Sequence, residues 1–142
     1  MKNDSIIVEQ TFTVPAQKVW AAITDPEQMR KWYFPMMEDF RAEKGFETRF
    51  DVVAGDKHFL HIWKVMDVIP EQKISYEWRY DGYPGNSLLT FELFESKEGT
   101  KLTLTHEKLE TFKGDINPGL AKENFQEGWN GFIKTRLKDY LD

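Results

Sequence analysis

Residues 118–141 read PGLAKENFQEGWNGFIKTRLKDYL, and the spacing of the large side chains in that run decides the fold. Ala121, Phe125, Trp129, Phe132, Ile133, Leu137 and Tyr140 recur at steps of three and four, the period of one helix face. Lys122, Glu123, Gln126, Glu127, Asn130, Lys134, Lys138 and Asp139 fill the other side. The pattern predicts a single amphipathic helix of about 36 Å at ~1.5 Å per residue, about the width of a small domain. Its aromatic stripe needs a surface to receive it.

Upstream, the period is mostly two. Residues 6–13 read as a strand, with Val8 and Phe12 on one parity and Glu9, Thr11 and Thr13 on the other. Pro15 then stands where a first helical turn begins, and Val19, Trp20 and Ile23 give that helix its apolar edge. Asp25-Pro26, a capping carboxylate before a proline, opens a second short helix ending near Trp32. Pro35 inside the dense run Trp32-Tyr33-Phe34-Pro35-Met36-Met37 argues against continued helix, so these side chains must cover something from a loop or strand entry.

Phe46, Thr48, Phe50 and Val52 alternate with Glu47, Arg49 and Asp51. Residues 58–69 make a longer strand without clean alternation, with His61, Trp63 and Val65 on one side and Leu60, Ile62, Met66 and Val68 on the other. Three clear strands follow: Ile74, Tyr76, Trp78 and Tyr80; Leu89, Phe91 and Leu93; Leu102, Leu104 and His106. Short turns between them predict an antiparallel meander with one wet face, the dry face taking the last helix. A curved sheet gripping a helix, with two short helices between strands 1 and 2, is an α+β arrangement that leaves a wedge for a small molecule.

Bulk properties agree. A chain of 142 residues is expected to form one domain spanning residues 1–142, and it has no cysteine for disulfide or thiolate chemistry. Its net charge of −5, with acids and bases interspersed, argues against a nucleic-acid partner. No apolar run reaches the ~20 residues of a membrane span, and no signal-like segment follows the N-terminus, so a cytoplasmic protein is expected.

The motif order resembles a known family. Val14-Pro15-Ala16-Gln17-Lys18-Val19-Trp20, Thr24-Asp25-Pro26, Trp32, Val65-Met66-Asp67-Val68-Ile69-Pro70, Ile74-Ser75-Tyr76-Glu77-Trp78-Arg79, Leu102-Thr103-Leu104-Thr105-His106 and Gly128-Trp129 carry the likeness across nearly the whole chain. It is similar to the helix-grip (SRPBCC, Bet v 1-like) superfamily of START domains and the birch-pollen allergen, and within it to bacterial relatives of the C-terminal domain of Aha1, the activator of the Hsp90 ATPase. The resemblance implies a hydrophobic ligand held between sheet and helix without a cofactor, with an Hsp90 homologue as an alternative partner, a stress-response setting, and a monomer or weak homodimer. Where relatives often have glycine this chain has Trp63, and an inward Trp63 would shrink the cavity.

On this reading Trp32, Met36, Phe50, Trp63, Trp78, Phe91, His106, Phe125, Trp129 and Phe132 are the candidate ligand-binding residues, each also an ordinary core residue in its own right. Trp32, Tyr33, Phe34 and Met36 form either the mobile rim of a pocket mouth or a plug. His106, inward by parity, could orient a ligand or act as an acid or base with a tyrosine such as Tyr76. A core-edge histidine hydrogen-bonded to its surroundings is favoured, since no second catalytic partner is fixed in sequence. No catalytic residue is therefore assigned. His58 and His61, three apart on a strand, point to opposite faces, so no metal site is expected. Gly128 and Gly131 sit inside the last helix, where each costs about 1 kcal/mol relative to alanine. Either close packing or room for a bound molecule would offset that cost.

Overall fold

The computed structural model describes residues 5–142. The chain runs β1 (Ile6–Phe12), α1 (Ala16–Thr24), α2 (Pro26–Trp32), β2 (Glu47–Ala54), β3 (Lys57–Ile69), β4 (Lys73–Tyr80), β5 (Ser87–Ser96), β6 (Gly99–Glu107), two short 3₁₀ turns, and a C-terminal helix α3 over residues 122–141. The strands form one antiparallel sheet in the order β1-β6-β5-β4-β3-β2. Only the β1–β6 pairing is non-consecutive. It returns the first strand to the far edge and brings Ile6 opposite His106.

Local chemistry sets the element ends. The Asp25 carboxylate accepts the Glu27 N–H at 3.1 Å, with Pro26 in the first helical turn, so α1 and α2 are separated by a working cap. The β5–β6 turn needs Gly99: its φ is +135°, and a Cβ there would lie 2.0 Å from the Phe12 carbonyl oxygen. α1 buries Val19, Ala22 and Ile23, and α2 buries Met29 and Trp32, so both short helices close one end of the core.

Three sequence expectations need correction. β3 carries a bulge between Val65 and Asp67, which changes the facing parity. Val68 therefore pairs with inward Ile74 and shares the face of Trp63 and Val65 rather than that of Ile62. The last helix begins at Lys122, because Pro118–Leu120 forms a separate 3₁₀ turn. Tyr140, assigned to the buried stripe, is 37% exposed and donates to Gln28 Oε1 at 3.1 Å.

α3 is also not uniformly α-helical. Lys122–Trp129 and Lys138–Leu141 are α-helical, whereas Asn130–Leu137 winds as a π-helix. The buried Trp129, Ile133 and Leu137 are spaced by four. Four residues overshoot one α-helical turn by about 40°, so a strict step of four drifts round an α-helix. The wider π turn, bonded i to i+5, falls short of a turn over the same step and cancels the drift. The stripe thus stays on the sheet. Lys134 and Lys138 fasten this half of the helix along β1, donating to the carbonyls of Glu9 (3.1 Å) and Thr11 (3.0 Å).

Candidate functional site

The wedge between sheet and α3 is filled largely by aromatic rings. Trp63 points inward and is fully buried, as are Trp32, Tyr33, Tyr76 and Phe91. Tyr33 and Phe34 follow α2 into the interior, Tyr33 1% and Phe34 8% exposed, while Met36 stays 41% exposed. Trp32 stacks on Tyr33 with centroids 4.5 Å apart and donates to the Ala22 carbonyl at 2.8 Å. Phe50 stacks on His61 at 4.8 Å.

An opening is left in this packing. A slot of about 160 Å³ lies under α3 between Phe34, Trp78, Phe125, Trp129 and Phe132, with Gly119, Asn124 and Gly128 at its exposed lip. That volume is below the ~300–1,000 Å³ of drug-sized ligand sites and matches the ~150 Å³ that holds one benzene ring. Four candidates read from the sequence, Trp78, Phe125, Trp129 and Phe132, meet at this slot. Trp32, Met36, Phe50, Trp63, Phe91 and His106 do not line it. Phe34, expected at either a rim or a plug, forms a wall of the slot, and Gly119, Asn124 and Gly128 were not among the candidates. Of these, Gly128 carried a legible signal, since a glycine in a helix interior asks for a reason.

The structure narrows that reason. A Cβ built at Gly128 or Gly131 meets nothing within 4 Å, so neither glycine is required by close packing against the sheet. Gly128 is exposed and borders the slot, so its Cβ position opens at the slot's lip, whereas Gly131, equally uncrowded, does not border it. A larger surface groove of about 600 Å³ between α1, α2 and the end of α3 is bordered by Lys18, Asp25, Glu27 and Lys31. An apolar guest there would have to displace the water of those charged groups.

His106 is fully buried and both ring nitrogens are engaged. The Trp129 indole, which can only donate, bonds Nδ1 at 3.0 Å. Nε2 therefore carries the proton and donates to Ser87 Oγ at 2.8 Å, and the Ser87 hydroxyl donates in turn to the Trp78 carbonyl at 2.7 Å. Burial lowers the His106 pKa to about 3, which keeps the ring neutral. This serine–histidine pair has the polarity opposite to that of a nucleophilic dyad. The histidine has no lone pair left for the serine proton. Tyr76, the other half of the enzymatic alternative, bonds Tyr33 at 3.0 Å instead, and burial raises the pKa of both phenols. The relay joins α3 to β4, β5 and β6. Ser87→Ala leaves the His106 Nε2–H without an acceptor and is expected to cost about 1–3 kcal/mol, read as a lower urea midpoint with an unchanged slope.

His61, 5% exposed, donates from Nδ1 to the Phe59 carbonyl at 2.9 Å. Its pKa falls to about 4, chiefly through burial. His58 lies on the other face, paired with Asp51 at 2.7 Å. Among the described residues no group of three His, Asp or Glu side chains comes together to hold a metal ion, and no helix is long and apolar enough to cross a membrane.

Residues 13–142 match the family model described as activator of Hsp90 ATPase homolog 1-like protein. The chain belongs to this family. Solved structures agree with the helix-grip architecture. Protein CV1439 from Chromobacterium violaceum superposes with a TM-score of 0.81 at 20% identity, covering 97% of this chain and 96% of that one. Protein MLL2253 from Mesorhizobium loti gives 0.76 at 25% identity, with coverages of 97% and 96%. DynU16, a protein of the dynemicin biosynthetic locus, gives 0.77 at 23% identity, covering 99% of this chain but 48% of its own length. No curated protein matches the sequence.

Proposed function

We propose that this protein binds a small apolar aromatic molecule in the slot beneath α3, without catalysis. The observation that carries the reading is the aromatic lining of the slot together with the uncrowded Cβ position of Gly128. The glycine at the lip leaves the mouth of the slot free of a side chain, which is where a guest ring would enter. A pocket of about 160 Å³ favours a one-ring ligand over the lipids and polyketides that larger helix-grip cavities would suit.

Toluene is the simplest probe. Titration is expected to perturb the fluorescence of Trp78 and Trp129 saturably and to shift the amides of residues 124–132. Gly128→Phe should abolish both effects by filling the slot. Gly128→Ala should raise stability by up to about 1 kcal/mol, since the added methyl meets no neighbour. Toluene shifts that are absent, or that survive Gly128→Phe in a folded protein, would defeat the proposal.

The family match motivates a second reading, a protein-interaction surface for an Hsp90-type ATPase. The exposed large apolar side chains away from the slot, Ile7, Met36, Val53, Ile69, Phe94, Ile116 and Tyr140, are spread over β1, β2, β3, β5, the connections after α2 and β6, and the end of α3. The slot is therefore the better supported site. Addition of this protein to a purified Hsp90 homologue, with ATP turnover as readout, decides between them.

A further inference from the structure

Trp63 is out of line with the other buried indoles. Trp32 donates to the Ala22 carbonyl (2.8 Å), Trp78 to the Tyr80 hydroxyl (2.7 Å) and Trp129 to His106 Nδ1 (3.0 Å). Trp63 is 0% exposed, yet its Nε1–H has no hydrogen-bond partner among the described residues. Buried donors are almost always paired, and the exceptions call for a reason. A second donor is spare nearby. The Tyr33 and Tyr76 rings lie 5.4 and 4.7 Å from Trp63, and in their mutual hydroxyl bond only one of the two hydrogens is used. The interior around Trp63 thus holds two donors without acceptors.

Phe34 lies against the same indole, with ring centroids 5.7 Å apart. Its phenyl belongs to neither helix nor strand; it reaches in from the connection between α2 and β2 to sit 4.9 Å from Phe50 and 5.2 Å from Phe132. It also forms one wall of the slot, so the place its ring occupies is continuous with the open space under α3. The chain is fastened on both sides of it. Tyr33 is stacked on Trp32, and the Arg30 guanidinium holds the carbonyls of Met37 (3.0 Å) and Glu38 (3.1 Å). Between these anchors Pro35 and Met36 are exposed. Phe34 is held by its ring contacts and by the Met37 N–H on its own carbonyl (3.2 Å), so displacing its ring is a rearrangement of the short segment between the two anchors.

We propose that the Phe34 phenyl occupies the place of a ligand's ring, and that the ligand is an aromatic molecule bearing a hydrogen-bond acceptor that meets the Trp63 indole N–H. The proposal rests on the slot reading and extends it from one ring to an acceptor-bearing aromatic. Displacing Phe34 joins its space to the slot, and an acceptor supplies what the buried donor lacks. Because the internal ring competes with the guest, affinity in the native protein is reduced by the fraction of molecules in which Phe34 is seated.

Acetophenone and α-methylstyrene have the same shape and differ in a carbonyl oxygen against a methylene, which isolates the acceptor. Phe34→Ala is expected to bind acetophenone at least about tenfold more tightly than the native chain does, and about tenfold more tightly than it binds α-methylstyrene. Adding Trp63→Phe should erase that preference while leaving α-methylstyrene affinity nearly unchanged. Equal affinity of folded Phe34→Ala for the two probes, or binding of neither, overturns the proposal. Should Phe34→Ala not fold, the native protein still answers. Saturating acetophenone should move the Trp63 indole N–H resonance downfield and α-methylstyrene should not, and an unmoved resonance counts equally against it. If toluene binding is blocked by Gly128→Phe but no carbonyl preference exists, the slot reading stands and this one alone fails.

Discussion

Trp129→Ala is expected to be the most damaging single substitution at the sheet–helix junction, lowering stability by about 3–5 kcal/mol from the lost indole packing alone. Trp129 is 2% exposed, with its ring 5.5 Å from Trp78, 5.8 Å from Phe132 and 5.9 Å from Tyr33, each the distance of a packed pair. The substitution also strips His106 Nδ1 of its donor in a buried site. Against a total of roughly 5–15 kcal/mol for a domain, a loss of this size leaves little margin. Trp129→Phe separates the two causes: it keeps most of the packing and removes only the N–H, so it should cost about 1–3 kcal/mol. Urea denaturation of both variants measures this. A Trp129→Ala midpoint close to that of the native protein would mean that α3 is not held by the relay.

Acidification from pH 7 to pH 5 is expected to destabilise the fold by on the order of 4 kcal/mol, well before the carboxylates titrate. The sign follows from the two buried histidines. In the unfolded chain each takes up a proton near 6.5, whereas in the fold His61 does so only at about 4 and His106 at about 3. Below pH 6.5 the unfolded state binds more protons, so stability falls with falling pH until the folded values are reached. Asp142, whose carboxyl is held below 3.8 first of all by its hydrogen bond from Lys138, acts in a lower window. Thermal unfolding at pH 7.5 and pH 5.0 reads the effect as a fall of roughly 10 °C. His61→Phe, which suits the ring stack on Phe50, should about halve the pH dependence. A melting temperature indifferent to pH over this range would show that one or both rings is reached by water. The same logic mirrored applies to Tyr33, Tyr76 and Tyr80, whose pKa values burial raises, so stability should fall again above about pH 10.

Period and punctuation in the sequence determined the strands, the Asp25-Pro26 cap, the inward parity of Trp78 and His106, and a sheet that clasps the final helix. These follow from interactions between residues a few positions apart, which a one-dimensional pattern records directly. Tertiary structure alone decided the rest. The β3 bulge has no glycine or proline to announce it; it arises where β3 and β4 must stay in register while both Val65 and Val68 face the core. The π winding of Asn130–Leu137 is set by the need to keep Trp129, Ile133 and Leu137 on one sheet face, a demand the helix sequence cannot express alone. His106 became a neutral structural relay because a donor-only indole 23 residues away meets it, and Phe34 entered the wedge beside Tyr33 because of how the loop after α2 turns. Contacts between residues far apart in sequence are chosen by packing of the whole, and the slot exists only where that packing stops short.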